Sequence, residues 1–241
     1  MEEFMRKKIA LTAILLGVAL LTLSGCSLKS SRRFIEGKAA ELSKVYPTEN
    51  LEDLFEKFPD GFQIRITDTE KKDDNSPTII YQTVLNGISE TKEIKGEITK
   101  ESSLKNSDGK IEKEMLYKGY VYYKDGNLHL SEGNSSNNKE KGDLKHSRLL
   151  MQEFLISRSS LRGLQVTLKG YSFETGSASI TYNLKNEQVN NYLGLESDAQ
   201  LNMDINIFEP TIAGKSYGYD VIFRKDNLYH SEGIVGKLEE N

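Results

Sequence analysis

The segment MLYKGYVYY, from Met115 to Tyr123, is the clearest strand signal in this 241-residue chain, because aromatic residues such as tyrosine favour extended backbone. Asp125-Gly126-Asn127 follows it and is typical of a tight turn. Leu128-His129-Leu130 then returns as a second strand. This part of the sequence therefore predicts an antiparallel β-hairpin.

A similar stretch recurs near the end of the chain. Tyr123–Gly133 reads YKDGNLHLSEG and Arg224–Gly233 reads RKDNLYHSEG, so Lys-Asp, Asn-Leu and Ser-Glu-Gly recur in the same order with one residue deleted. Each copy follows a tyrosine-rich strand, and a predicted helix opens each half of the chain. Two interpretations stay open: a duplicated unit of one helix plus four antiparallel strands, or two similar hairpin ends that need the same turn residues.

Hydrophobic periodicity extends this pattern in both directions. Apolar residues at helical spacing predict a helix over 34–46, which Pro47 ends, and a short second helix that Asn50 caps. Asn86-Gly87 is a strong hairpin-turn signal. A later helix is expected after Ser147, and another begins at Asn186 and ends near Gly194. The other predicted strands are 62–67, 78–85, 92–100, 165–169, 177–184, 200–208 and 217–224.

We therefore expect an α+β fold of antiparallel β-sheets with packed helices, in which the two halves could be duplicated helix-plus-four-strand units. The segment 132–146 has almost no large apolar residue, so it is expected to connect the halves flexibly. The predicted organisation is a signal peptide (1–25), a lipidated tether (26–33), an N-terminal half (34–131), the connection (132–146) and a C-terminal half (147–241).

The N-terminus has the three features of a bacterial lipoprotein signal. Arg6-Lys7-Lys8 supplies positive charge, and an apolar stretch from Ile9 to Leu23 follows. Leu23-Ser24-Gly25-Cys26 then resembles a lipobox, in which the cysteine is acylated and the chain is cleaved between Gly25 and Cys26. An ordinary signal peptide or an N-terminal anchor helix are the alternatives. The apolar stretch is short for a membrane span, which needs about 20 residues.

The cysteine count supports the lipobox interpretation. Cys26 is the only cysteine of the chain, so an exported form has no partner for an internal disulfide. A diacylglyceryl group with an added N-palmitoyl chain would supply enough buried CH₂ groups for stable membrane binding. Lys29, Arg32 and Arg33 could add attraction to an anionic membrane surface, although a merely solvated linker explains them equally well.

Composition and motifs argue against several functions. A net charge of −4 disfavours nucleic acid as a partner. His129, His146 and His230 show no metal-binding spacing, and we interpret each as a surface residue. Ser102-x-x-Lys105 is only a weak match to penicillin-binding enzymes, because their other motifs are missing. We therefore predict no catalytic residues, no metal ligands and no cofactor, with any ligand-binding residues left open.

The tyrosines are the remaining candidates for a binding surface. Tyr120 and Tyr122 should share one face of their strand, with Tyr117 and Tyr123 on the other face, and Tyr217 and Tyr219 lie on the second tyrosine-rich strand. Tyrosine suits binding surfaces because it buries area and keeps a polar group. Ordinary strand packing explains the same pattern.

Three segments resemble one known family. Tyr46–Leu54 reads YPTENLEDL, Tyr182–Glu187 reads YNLKNE and Tyr219–Phe223 reads YDVIF. With the lipobox, these segments resemble the tandem-type lipoproteins of staphylococci and related Gram-positive bacteria, the conserved staphylococcal antigen lipoproteins. Members carry a tryptophan where this chain has Phe62, so the chain would be a divergent member. The resemblance implies an outward-facing, lipid-anchored protein without assigned enzymatic activity, linked to host-cell interaction and immune stimulation.

The expected function is therefore that of a non-enzymatic surface lipoprotein at the extracytoplasmic face of the cell membrane. Its partners would be the membrane, through the lipid on Cys26, and a host or cell-envelope macromolecule. The alternative is a ligand-binding or carrier lipoprotein with a groove between sheet and helices. A cleft that gathers several carboxylates or two histidines would instead favour an enzyme.

Overall fold

The computed structural model describes residues 31–40, 50–73, 76–105, 108–131, 144, 146–150, 154, 156–208 and 217–236. The proposed signal peptide, Cys26 and most of the predicted connection 132–146 lie outside these ranges. Within the ranges, no helix has both the length and the apolar character needed to cross a membrane.

Ten strands and four short α-helices make up the described chain. Helix α1 is Arg32–Ala39, a 3₁₀ turn is Leu51–Asp53, α2 is Leu54–Lys57, α3 is Arg158–Arg162 and α4 is Glu187–Tyr192. The first five strands are β1 Phe62–Glu70, β2 Thr78–Ile88, β3 Glu93–Lys105, β4 Ile111–Lys124 and β5 Asn127–Leu130. The last five are β6 Gln165–Tyr171, β7 Ala178–Leu184, β8 Leu201–Phe208, β9 Tyr217–Lys225 and β10 Leu228–Gly236.

All ten strands belong to one antiparallel sheet with the order β5-β4-β3-β2-β1-β10-β9-β8-β7-β6. Strands β1–β5 and β6–β10 each form a meander, and the pairing of β1 with β10, from Phe62↔Gly236 to Thr69↔Tyr229, joins the two meanders. The predicted α+β fold of separate sheets with packed helices is therefore wrong: the molecule is mostly one large sheet with few short helices. The two meanders form one sheet because β1 pairs with β10, which is far from it in the sequence.

One face of the sheet, called here the covered face, carries the core. Helix α1 buries Ile35 and Ala39 against β6, β7 and β8. The ring of Phe62 in β1 lies 5.0 Å from that of Phe55 and 6.2 Å from that of Phe58, between centroids. Leu149, Leu150, Phe154 and Ile156, which are described residues ahead of α3, belong to the same core. The other face, called the open face, has no described helix packed on it.

The two echoed hairpins have similar turns but differ in the strand before the turn. Asp125 (φ 52°) and Asp226 (φ 48°) both adopt the left-handed conformation of tight hairpin turns. Before the turn, Tyr123 is buried on the covered face, whereas its equivalent Arg224 is exposed on the open face. The one-residue deletion shifts the second copy by one position, so that after the turn Leu130 and its equivalent His230 both face the core. The echo therefore places equivalent residues on the same face only after the turn, and both interpretations of it stay predictions.

Several local predictions also need correction. Helix α1 begins at Arg32, within the predicted tether 26–33. Asn50 makes no cap hydrogen bond, because its side chain accepts the hydroxyl proton of Tyr123. Asn86-Gly87 lies inside β2 and not in a turn. Each half of the chain supplies five strands and not four. By contrast, the Asn186 side chain does cap α4, which ends before Gly194 (φ 69°) as predicted.

Candidate functional site

Asp68 is the centre of a polar cluster on the covered face. The register of β1 and β10 places it opposite His230, whose Nδ1 lies 2.6 Å from Asp68 Oδ1. His146, the last residue of the predicted connection 132–146, approaches with Nδ1 3.4 Å from Asp68 Oδ2. Two histidines that are far apart in the sequence therefore share one carboxylate.

The electrostatics of this cluster keep the carboxylate ionised. Burial alone raises the pKa of Asp68, but the hydrogen bonds and positive charge that His146 and His230 offer outweigh it and lower the pKa to about 2. The His146 ring also stacks on Tyr81 at 3.7 Å between centroids, and its Nε2 lies 3.6 Å from Glu70 Oε1. His146 is thus fixed by a ring contact and two carboxylates.

A cleft of about 390 Å³ lies beside this cluster and is called here the histidine–aspartate cleft. Its lining includes Asp68, Glu70, His146, Arg148 and Tyr192. The Tyr192 hydroxyl donates to the Arg148 carbonyl oxygen at 2.7 Å, and the Arg148 guanidinium lies 5.2 Å from the Tyr192 ring centroid. The lining therefore combines apolar surface with side chains of both charges.

The interpretation of the histidines as surface residues is confirmed for His129 only. The side chain of His230 is 1% exposed and that of His146 is 11% exposed. A histidine oriented by an aspartate is also the arrangement of a general base. Here, however, His230 is buried and His146 Nε2 faces Glu70, while the neighbouring Ser147 hydroxyl is 2.7 Å from that of Thr83. The observed contacts hold the segment 146–150 on the sheet.

The open face has a different character, because a groove of about 620 Å³ crosses its centre. Arg65 of β1, Gly233 of β10 and Asp220 of β9 are directly opposite each other and form one row across the strands. Because the middle residue is glycine, no side chain fills the centre of this row. A Cβ atom at Gly233 would stand 3.4 Å from Asp220 Oδ1, which is ordinary van der Waals contact. This central groove is bordered by Gln63, Arg65, Thr67, Asp220, Tyr229 and Ser231.

A second groove of about 470 Å³, the lateral groove, lies next to the central one on the same face. Its lining includes Asn86 of β2, Glu97 of β3, and Tyr120 and Tyr122 of β4. Gln63, which borders the central groove, donates from Nε2 to Asn86 Oδ1 at 3.1 Å, so this amide pair lies at the boundary between the two grooves. The lateral groove lies over β2–β4, and the central groove lies over β1, β2 and β8–β10, so the two are side by side across the strands.

The charges on the open face are largely balanced. Asp220 is half-buried, and burial raises its pKa, although hydrogen bonding from Asn206 and the positive charge of Arg224 oppose the increase. Arg224 also pairs with Asp204, and Lys118 pairs with Glu97 at 2.6 Å beside the lateral groove. Neither groove presents a strong excess of one sign.

The tyrosine prediction is confirmed on β4. Tyr120 and Tyr122 are 56% and 39% exposed on the open face, whereas Tyr117 and Tyr123 are 9% and 7% exposed on the covered face. Tyr219 is buried as well, and the side chain of Tyr217 is outside the described atoms. Gly25 and Cys26, the predicted cleavage and lipid-attachment residues, also lie outside the described residues.

Sequence reasoning did not identify Asp68 or Gly233, the central residues of the two sites. Asp68 follows the alternating start of β1, and Gly233 ends a Ser-Glu-Gly motif, so neither has a local signal. Within the described ranges, no group of three or more His, Cys, Asp or Glu side chains is placed to hold a metal ion.

Comparisons with known proteins add no family. No protein-family model matches the chain, and no curated protein matches it either. The chain is weakly similar to the dehydratase domain of RzxB from Pseudomonas fluorescens, with 9% identity and a TM-score of 0.17 over 74% of this chain and 75% of that one. For an N-terminal dehydratase from the difficidin assembly line the values are 10% and 0.17, over 79% and 83%. TM-scores this low support no conclusion about fold or function.

Proposed function

We propose that this chain is a lipid-anchored protein of the extracytoplasmic membrane surface that binds a host or cell-envelope macromolecule and catalyses no reaction. The anchor part rests on the signal sequence and on Cys26 within the lipobox. The resemblance to tandem-type lipoproteins supports the same location, and we propose that the chain is a divergent member of that family.

The open face of the sheet is the observation that carries the binding part of this proposal. Two adjoining grooves of about 620 and 470 Å³ lie on it, and Tyr120 and Tyr122 are exposed beside them. Exposed tyrosines give a binding surface large contact area with a polar group at the tip. Helix α1, the first described element after the proposed anchor, packs on the covered face. The open face would therefore point away from the membrane.

A second candidate is the binding of a small polar ligand in the histidine–aspartate cleft, which lies between the sheet and the segment before α3. The charged side chains of Asp68, Glu70 and Arg148 favour a zwitterion there. Titration of the purified chain with amino acids tests this candidate, because binding at the cleft should be lost in Arg148→Ala. A carrier of apolar ligands is less favoured, since the crevice beside Tyr81 and Tyr117 holds only about 10 Å³.

The anchor is tested by Cys26→Ala in the producing bacterium. We expect the wild-type chain to incorporate a labelled fatty acid and to sediment with membranes, and the variant to lose the label. A Cys26→Ala chain that is still labelled would refute acylation at this residue.

Binding is tested by displaying the full chain on liposomes and measuring its retention on purified cell-envelope fragments and on host-cell membranes. Tyr122→Asp should lower retention about tenfold, because a charge is expensive to bury in an interface. Phe173→Asp is the control, since Phe173 is also an exposed aromatic residue, 55% against 39% for Tyr122, and lies in the turn between β6 and β7. Retention on neither material, or equal losses in both variants, would contradict binding through the open face.

A further inference from the structure

The central and lateral grooves lie side by side across the sheet, and the two taken together are called here the path. They reach from Tyr120 and Tyr122 in β4 to Phe208 in β8, and six interstrand spacings of about 4.8 Å separate these strands. The path is therefore about 29 Å long, which is much more than a small molecule occupies. Its occupant should be a chain molecule that lies across the strands.

Glycines determine the shape of the path. Gly233 leaves the floor of the central groove open between Arg65 and Asp220, and Gly218 lies beside Val235 and Phe208 in the next row. A Cβ atom at Gly218 would stand 1.9 Å from the Ile234 carbonyl oxygen, so only glycine fits there. At Gly233 the backbone would accept a side chain. The absence of a side chain there therefore keeps the groove floor open and is not required by the backbone.

Besides four charged side chains, the groove borders carry uncharged polar groups and aromatic rings. Gln63, Thr67, Gln82 and Ser231 offer amide and hydroxyl groups, which both donate and accept hydrogen bonds. Phe208 of β8 lies at one end of the path, Tyr120 and Tyr122 of β4 lie at the other, and Tyr229 of β10 borders the central groove between them. Hydroxyl-rich ligands with flat C–H faces match both kinds of group.

The charges exclude a highly charged chain as the preferred occupant. Arg65 and Asp220 border the central groove, while Lys95 and Glu97 border the lateral one, so each groove has one cation and one anion. A polyanion or polycation needs a surface of one opposite sign. An extended peptide that adds a strand needs an unpaired sheet edge. Strands β1, β2, β3, β9 and β10, under the grooves, are paired on both sides.

We propose that the two grooves bind an uncharged glycan chain, laid across the strands from β4 to β8. This inference rests on the proposed function and specifies the chemistry of the macromolecule that the open face contacts. Sugar rings stack on Tyr120, Tyr122 and Tyr229, and sugar hydroxyl or acetamido groups exchange hydrogen bonds with the amide and hydroxyl side chains between them.

The test is calorimetric titration of the full-length chain, in a detergent without a sugar headgroup, with chitohexaose, cellohexaose and maltohexaose. We expect at least one of these glycans to bind with a dissociation constant between about 10 µM and 1 mM, because an open groove leaves part of the ligand in water. Gly233→Leu fills the groove floor and should weaken binding at least about tenfold.

Gly163→Leu is the matched control, because a Cβ atom at Gly163 has open space around it and the residue lies outside both grooves. Tyr229→Leu provides a second variant that keeps apolar bulk but removes a stacking surface, and it should weaken binding as well. Thermal unfolding of each variant distinguishes loss of binding from loss of fold.

Two results would overturn the proposal: no binding of any of the three glycans, or binding that Gly233→Leu and Tyr229→Leu leave unchanged while both are folded. Its failure is distinguishable from that of the proposed function. If liposome-displayed chain binds envelope fragments, and protease treatment of the fragments abolishes that binding while glycan digestion does not, the partner is a protein and only the glycan inference fails.

Discussion

On the covered face, Glu232, Thr83 and Asp68 each bind a group in the segment 146–150, whereas on the open face the polar side chains of the same strands border a groove. Leu150 donates its backbone N–H to Glu232 Oε2 at 2.6 Å, and the other two contacts are those to Ser147 and His146. Polar side chains of one sheet therefore hold a chain segment in place on the covered face and border a solvent-exposed groove on the open face. Changes on the covered face should affect stability, and changes on the open face should affect binding.

The largest effect is expected at Glu232, which is 0% exposed. Glu232→Ala leaves the buried Leu150 N–H without this acceptor, so the free energy of unfolding should fall by about 3 kcal/mol. Glu232→Gln keeps an acceptor and should lose less. Glu97→Ala is the open-face control, since its partially exposed pair with Lys118 should contribute less than about 1 kcal/mol. Urea unfolding measures all three, and equal losses at Glu232 and Glu97 would contradict the distinction between the faces.

A second comparison pairs Asp68 on the covered face with Asp220 on the open face. The pKa of Asp68 is lowered from 3.8 to about 2, so its ionised form stabilises the folded state by about 2 kcal/mol above pH 4. This contribution is lost as the pH falls from about 4 to about 2. Asp68→Asn should therefore destabilise the protein at pH 7 and flatten its acid unfolding curve in that range.

Asp220 should behave in the opposite way. Burial raises its pKa, so ionisation at neutral pH opposes folding, and Asp220→Asn should leave stability at pH 7 unchanged or slightly increased. Circular dichroism during urea unfolding at several pH values measures both variants. The comparison fails if Asp220→Asn destabilises the protein as much as Asp68→Asn does.

Local sequence patterns predicted most strands because alternation reports burial on one face. Phe62, Ile64 and Ile66 are all fully buried in β1, as their spacing predicts. Asn86-Gly87 shows where this reasoning stops. A Cβ atom at Gly87 would stand 2.4 Å from the Phe62 ring, so this glycine accommodates a neighbouring strand's side chain and not a turn. Only the tertiary structure contains that information.

The candidate sites were less predictable than the strands for the same reason. Asp68 meets His230 and Arg65 meets Gly233 only because β1 pairs with β10, two strands from opposite ends of the described chain. No local pattern encodes such pairing or its register. The tyrosines of β4 were predictable by face, since adjacent residues of one strand alternate, but the lateral groove depends on three strands and the central groove on five.

Adjacent tyrosines of β4 provide the smallest and most closely matched comparison of the two faces. The Tyr123 hydroxyl accepts a hydrogen bond from Leu51 N and donates one to Asn50 Oδ1, both at 3.1 Å. Tyr123→Phe should therefore lower the free energy of unfolding by about 1 kcal/mol, because the Leu51 N–H loses its partner. Tyr122→Phe removes a hydroxyl on the open face, where water replaces it, and should change stability by less than about 0.5 kcal/mol. Thermal and urea unfolding of the two variants measure the difference. Because the chemical change is the same and the residues are adjacent, a larger loss at Tyr123 indicates that the strand separates a packed face from a solvated one. Equal losses would contradict this distinction.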